Sequence, residues 1–474
     1  MEFEKNMKVL NEDEIYRIHM NVMEVLWQIG IMVEEKQSLQ LLEKNGAKVD
    51  YEKQRAYLPA DLVQHCMGVK GHSFSFYDAF GKKVIDYGGN RTYYSTCGYT
   101  TTYVDEDGVS KEGTYAALEK AVRYVDAIDE IDMMQPSIQA CDIPSENQDL
   151  YMTKALLVNT RKPTHAIANS EKHAEGLVMM HGEMAGGLDN LMKKPRHLFN
   201  ICTFSPLGIR KDACEVIRVA AKYNIPCEFS TGTMAGATAP VTLAASIVEA
   251  FAEVIGHIVL AQCYRPGLNC SLLSANRIFD MKFAACTVAT PEYAVLKAAA
   301  CQMAHYYRIP IGCIGPCSDS NEHDAQFGWE KFMSGFVCRQ AGCNMEFGVG
   351  LYSQLNQFSY TCLALDAELI RNLEKIGGGM DVSDFSLAFD VLAEDAGKGE
   401  FLFHSHTLDN YKDEFLSPVL TDRAPYPNYE KRNGKNTLID RANKQLSKYE
   451  KAYDYTKGKE HEAELQRILE EYAD

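Results

Sequence analysis

Between about residue 94 and residue 375 the chain alternates two hydrophobic rhythms. Short apolar or β-branched runs at 94–104, 131–138, 164–168, 197–203, 225–230, 268–273, 311–314 and 344–348 predict strands. Longer stretches with apolar residues at helical spacing predict helices at 148–159, 171–184, 211–223, 242–263, 291–307, 325–341 and 361–375. Parallel strands need a crossover of about a dozen residues, which a helix supplies. Eight strands in this order predict an α/β fold, a (β/α)8 TIM barrel, with a doubly wound sheet as the alternative. In such a barrel the chemistry gathers where strands end and the following loops begin. That rule singles out Gln139, Asn169, Phe204, Thr231, Ser274, Gly315 and Glu346.

The flanks follow other patterns. Asn11-Glu12-Asp13-Glu14 is a helix start signal, and Ile15, Ile18, Val22, Val25 and Leu26 continue it at helical spacing. Residues 1–90 therefore read as an N-terminal helical layer, 91–400 as the barrel and 401–474 as a C-terminal extension packed on it. Pro418, Pro425 and Pro427 break the regularity of the extension, which closes with a charged helix at 459–472.

Composition narrows the function. The formal charge of −17 repels phosphate backbones and argues against nucleic acid as a partner. The 15 cysteines are scattered singly without a Cys-x-x-Cys pair, the usage of reduced, buried thiols in a cytosol. Met1 to Asn6 carries no apolar signal core, and the most apolar stretch, 243–263, contains Glu249, Glu253 and His257. It is expected to be a buried helix and not a membrane span, and the protein is expected in the cytoplasm.

Nucleotide-binding glycine motifs are absent; Gly348-Val349-Gly350 marks only a strand end that needs close backbone approach. His404-Ser405-His406, with His323 drafted in, is the metal-like element, and a metal-dependent barrel hydrolase is the alternative enzyme class. Cys313 and Cys317 flank the Gly315-Pro316 turn, where small residues suffice as an explanation. Aromatic residues crowd the expected strand ends: Tyr99, Phe204, Tyr352 and Phe358. Aromatic faces attract quaternary ammonium groups, each contact worth up to about 2 kcal/mol when desolvated. Glu346 sits on an otherwise apolar strand, where a carboxylate is either paired or faces a polar cavity as a counter-charge. A non-catalytic binder of quaternary ammonium solutes is the third possibility.

Gly236-Ala237-Thr238-Ala239-Pro240-Val241-Thr242-Leu243-Ala244, leading into a long helix that ends near Arg265-Pro266-Gly267, resembles a signature of the trimethylamine methyltransferase (MttB) superfamily. Asn45-Gly46-Ala47, Leu58-Pro59, Cys141-Asp142-Ile143-Pro144, Thr160-Arg161-Lys162-Pro163, Phe401-Leu402 and His406-Thr407 are similar to that family in order and spacing. The resemblance implies a barrel whose mouth receives a small methylated amine, with cobalamin carried as Co(I) by a separate corrinoid protein and no metal bound by this chain. It also implies a homo-oligomer. Founding members carry pyrrolysine near the end of the seventh strand, but 344–353 contains only standard residues. The resemblance is therefore to the quaternary-amine demethylases, acting on glycine betaine, proline betaine, carnitine or γ-butyrobetaine. A quaternary ammonium leaves as a neutral tertiary amine, so no catalytic acid or base is expected, only orientation and desolvation. Tyr99, Phe204, Tyr352 and Phe358 are the expected cage, Glu346 its counter-charge and Arg277 the carboxylate partner.

Overall fold

The computed structural model describes residues 7–433 and 436–474. Seven strands, β1 (Tyr93–Thr96), β2 (Thr164–Ala166), β3 (His197–Cys202), β4 (Cys227–Thr231), β5 (Cys270–Ser274), β6 (Ile311–Ile314) and β7 (Met345–Val349), form one sheet in the order β1-β7-β6-β5-β4-β3-β2. Every neighbouring pair is parallel. The two edge strands are not left bare: Ser95 of β1 bridges Met133, and Met134 bridges Thr164 of β2, so the sheet curls back on itself through this segment. The expected strand at 131–138 is reduced to such single bridges, because Pro136 has no N–H to give to a ladder. The expected strand at 94–104 is likewise divided, into β1 and a separate strand Thr102–Val104 beyond the turn at Gly98.

Seven helices lie where the periodicity predicts; the helix at 115–126 is not among the expected ones, and the helix at 12–24 precedes the sheet. The helices are α1 (Glu12–Glu24), α2 (Tyr115–Asp126), α3 (Gln148–Asn159), α4 (Glu171–Met184), α5 (Lys211–Tyr223), α6 (Leu243–Tyr264), α7 (Pro291–Tyr306), α8 (Ala325–Ala341) and α9 (Tyr360–Gly377). Strand residues alternate between two surroundings. Phe199, Ile201, Phe229 and Leu272 join the apolar core shared with the helix layer. Asn200, Glu228 and Ser271, between them, meet one another on the other face, the axis of the curled sheet.

α6 is long and apolar enough to cross a membrane, yet most of it is buried within the fold. Its charge has an internal use. The Glu253 carboxylate accepts from Thr203 Oγ1 at 2.6 Å, Ser205 Oγ at 3.1 Å and the Leu207 amide at 3.0 Å, pinning the loop after β3. α7 starts on Thr290, whose hydroxyl accepts from the Tyr293 amide at 3.3 Å, with Pro291 at its first position. Thr290→Ala is expected to cost about 1 kcal/mol, read as a lower denaturant midpoint with an unchanged slope.

The N-terminal layer is not purely helical. Besides α1 and two short helices it holds the strands Ile31–Val33, Lys48–Asp50 and Arg55–Tyr57 and the pair Phe74–Tyr77 and Lys83–Tyr87. Strands of three to five residues are too short to show an alternation in the sequence. The α/β body ends with α9 at Gly377. Two tail helices, α10 (Leu438–Ala452) and α11 (Glu462–Tyr472), pack on α9 and α4. Gly176 of α4 makes room for α11, since a Cβ there would strike the Tyr472 side chain.

Candidate active site

The C-terminal strand ends surround a hollow. Cys202, the last residue of β3, is exposed, yet burial pushes its thiol pKa up. A group reached by solvent but enclosed by protein lies in a recess that opens outward. Tyr99 stands beside it, 39% exposed, its phenol raised first by burial and then by the nearby Cys202 and Asp149. A cavity of 240 Å³ adjoins this side, lined by Tyr99, Pro136, Gln139, Gln148, Asp149 and Asn169 among others. Gln139 and Asn169 are among the positions the strand-end rule selects.

Arg277 enters from the β5 side. It begins a hairpin, Arg277–Asp280 with Ala285–Thr287, and its amide donates to Thr233 O at 3.0 Å. A Cβ on Gly232 would lie 3.4 Å from Arg277 Nη2, so the glycine leaves the guanidinium its space. Arg277 Nε is buried with no hydrogen-bond partner, and among the described residues no ion pair neutralises this side chain. The Cys286 thiol is a polar neighbour within hydrogen-bond reach. Lys297 fixes the approach. Its fully buried ammonium donates to Ser274 O at 2.7 Å and Asn276 O at 2.8 Å, and burial pushes its pKa down to about 8.

Below the mouth lies a polar cluster on the axis that the sequence reasoning missed. Glu228 of β4 is fully buried. Tyr87 Oη donates to its Oε1 at 2.7 Å, Ser271 Oγ to Oε1 at 3.4 Å and Asn200 Nδ2 to Oε2 at 3.3 Å. Burial pushes the carboxyl up to about 7 against the pull of these bonds. His165 Nδ1 is 3.5 Å from Glu228 Oε2, but this is not an ion pair: burial pushes His165 down to about 3. Neutral Nδ1 instead accepts from Gln135 Nε2 at 2.9 Å. Glu228 thus has hydrogen bonds without a cation. Cys97, at the end of β1, links the two levels: its thiol is pushed up to about 12 by burial and then by Glu228, and pulled back by Arg277.

The expected site residues separate into two groups. Tyr99, Phe204 and Arg277 lie at the mouth. Phe204 is 40% exposed, with the Arg210 guanidinium 5.4 Å from its ring centroid. Glu346, Tyr352 and Phe358 do not reach it. Met345 and Phe347 face the axis, Phe347 meeting His165 at 4.9 Å, so Glu346 between them faces the helix layer. Its Oε2 lies 3.3 Å from where a Cβ on Gly335 of α8 would stand. Tyr352 packs against His323, 4.8 Å away, and Phe327. Phe358 is fully buried beside Tyr360 and Gly350. Gly348 has φ +133°, and a Cβ there would sit 2.9 Å from Pro316 O, the close approach its sequence implies.

The histidines of the hydrolase alternative do not converge. His404 Nδ1 accepts from the His406 amide at the start of the helix Ser405–Glu414, the His406 ring lies tilted against Phe385, and His323 lies against Tyr352. Among the described residues no group of three or more His, Cys, Asp or Glu is arranged to hold a metal. Cys317 Sγ donates to Val288 O, and Cys313 lies 3.7 Å from Cys301, both fully buried.

Known proteins are similar to this chain over most of its length. The trimethylamine methyltransferase MttB of Desulfitobacterium hafniense (strain DSM 10664 / DCB-2) is 29% identical over 420 residues, covering 88% of this chain and 84% of that protein. The glycine betaine methyltransferase of Desulfitobacterium hafniense (strain Y51) is 27% identical over 426 residues, covering 89% and 88%. Among solved structures, the Methanosarcina barkeri monomethylamine methyltransferase (MtmB) is 12% identical, with 99% of this chain and 96% of that chain covered and a TM-score of 0.48. Residues 2–472 match the trimethylamine methyltransferase (MTTB) family, and over that span the chain belongs to it, as a methyltransferase.

Proposed function

We propose that this methyltransferase demethylates a quaternary amine bearing a carboxylate, of the glycine betaine, proline betaine, carnitine or γ-butyrobetaine type, and passes the methyl group to Co(I) of a partner corrinoid protein. The seven strands and the Met133–Met134 bridges are read together as a (β/α)8 barrel whose mouth is the site. The observation that carries the substrate class is Arg277, a guanidinium at the mouth with no carboxylate of its own. Arg277 is half-buried with its Nε enclosed, and a guanidinium partly withdrawn from water without a counter-ion is costly, so its retention there points to an anionic group supplied by the ligand. Glu228 takes the counter-charge role that the sequence placed on Glu346, and fills it when its carboxyl, pushed up to about 7 by burial, is ionised. The relative named for glycine betaine agrees with a zwitterionic substrate.

In this arrangement the tetrahedral nitrogen sits over the axis beside Tyr99. Its carboxylate arm leans to Arg277, and one N–CH₃ bond points out of the mouth. The corrinoid supplies the nucleophile that takes the methyl; the C–N electron pair stays on nitrogen, so the amine departs neutral and no side chain moves a proton. The exposed rim of Phe204, Val241, Met281 and Phe283 suits an apolar docking face for the acceptor.

The test is a spectral assay with reduced cobalamin as acceptor. Glycine betaine, proline betaine, carnitine, γ-butyrobetaine, choline and trimethylamine are offered in turn. Turnover is expected with at least one carboxylate-bearing quaternary amine, and at least tenfold less with choline. Turnover of trimethylamine alone, or binding without transfer, overturns the proposal.

A further inference from the structure

Residues 378–417 leave the body of the molecule and return to it. They depart from the end of α9 at Gly377 and come back where the Val419 and Thr421 amides donate to Glu368 of the same helix at 3.1 and 3.2 Å. Between these roots lie three short helices, Asp384–Leu387, Phe389–Asp395 and Ser405–Glu414, in which Asp395 is the one buried side chain. The apolar residues face solvent: Met380, Phe385, Phe389, Leu402, Phe403 and Phe415 are 65–79% exposed. Six such side chains present about 800 Å² of apolar surface, taking ~200 Å² for each. That exceeds the ~300–600 Å² of the largest patch on a typical monomer and equals one side of a standard stable interface.

What covers this surface is narrowed by its charge and place. The segment holds nine Asp and Glu against two Lys, which repels anionic lipid and nucleic acid. α9 starts beside the mouth and ends at the far side of the sheet, where Arg339 of α8 pairs with Glu374. The segment therefore springs from the end opposite the strand-end hollow and is not part of the rim that faces a methyl acceptor. An acceptor surface for it exists on this same chain. A groove of 690 Å³ runs between α8 and α9, lined by Phe327, Phe332, Leu365, Leu369, Leu420 and Leu438 among others. Its lining reaches Ile376, next to the root of the segment, and Trp329, beside the lining residue Gly328 on α8, is exposed.

We propose that residues 378–417 are an exchange arm: each of two copies of this chain lays its arm into the α8–α9 groove of the other, closing a two-fold dimer. An isologous exchange covers both patches and both grooves at once, whereas a single partner of another kind leaves the groove bare.

The test is sedimentation of the full chain with complementary variants. The wild type is expected at twice 53.1 kDa. The arm variant Phe385→Asp/Phe389→Asp/Phe403→Asp and the groove variant Phe332→Asp/Leu369→Asp are each expected as monomers, at least 30-fold weaker in self-association. Mixed one to one, they are expected to recover a dimer, since one intact arm then meets one intact groove. A monomeric wild type overturns the proposal, whether its arm folds onto its own groove or awaits a different protein. A dimer that survives the arm substitutions, or no recovery on mixing, overturns it as well. Hydrogen exchange on the wild type covers a variant that fails to fold. Protection of 378–417 must rise with protein concentration, and protection independent of concentration counts against the exchange.

Discussion

Replacing Arg277 with alanine is expected to lower kcat/KM for the carboxylate-bearing quaternary amine about 100-fold, or ~2.7 kcal/mol of lost interaction. A charge-assisted hydrogen bond contributes about 1.5–3 kcal/mol, and a guanidinium offers a carboxylate two in parallel. The loss is expected in KM and not in kcat, because the carboxylate is remote from the reacting carbon and is held equally before and during transfer. Choline separates this from general damage to the mouth. It lacks the carboxylate, so its slow turnover should change little in Arg277→Ala, and the preference for the carboxylate-bearing substrate should collapse towards one. Arg277→Lys is expected to recover about tenfold, keeping the charge without the planar fork. Steady-state kinetics with both substrates decide the matter, and a fall in kcat at constant KM would remove Arg277 from carboxylate binding.

The sequence makes one kind of feature plain and hides another. Period-3.6 patterns locate α3, α4, α5 and α8 to the residue; α5 carries a one-sided apolar stripe, and Ser170 and Asp324 cap the starts of α4 and α8, which Gly342 follows. The strand patterns place Phe204 and Arg277 just beyond strand ends, as in the structure, whereas Tyr99, inside the expected strand 94–104, lies in the irregular segment that follows β1. Glu346 and Glu228 show the limit. Each is a single carboxylate in an apolar run, and hydropathy treats them alike. Which one faces the axis depends on the register of its strand, fixed by pairings such as Asn200 with Glu228 and Cys313 with Glu346 between segments distant in the chain. The alternation within 225–230 carried the signal, with Glu228 between Cys227 and Phe229, but a strand covered on both faces gives no sign of which face is the lumen. Tyr352 and Phe358 misled for a related reason. They follow β7 in sequence, but the hairpin Leu351–Tyr352 with Gln357–Ser359 turns them into the packing around α8 and α9.

Glu228 provides the second large effect, and its sign is set by the direction of its shift. Burial raises the carboxyl from an ordinary value near 4.5 to about 7, so the folded chain holds this proton more tightly than the unfolded one. The resulting stability is fully present below about pH 4.5 and is lost as pH rises through about 7, amounting to roughly 3 kcal/mol across that window. Glu249, Asp132 and Asp319 shift in the same direction, so the slope of the wild type alone does not isolate Glu228. The difference between wild type and Glu228→Gln does, because the amide fills the same space and has no proton to lose. The variant is expected to gain on the wild type by up to that amount between pH 5 and 8 in urea titrations. Substrate affinity should run the other way. A quaternary cation at roughly 7 Å from the carboxylate, at an effective dielectric of about 20, gains about 2 kcal/mol only when the carboxyl is ionised. Binding by the wild type is therefore expected to tighten about 30-fold as pH rises through 7, with proton release detectable by calorimetry in buffers of different ionisation enthalpy. Glu228→Gln should bind weakly and without that pH dependence. Equal pH profiles in the two proteins would leave Glu228 a stability element alone and return the cation's charge to the aromatic face of Tyr99.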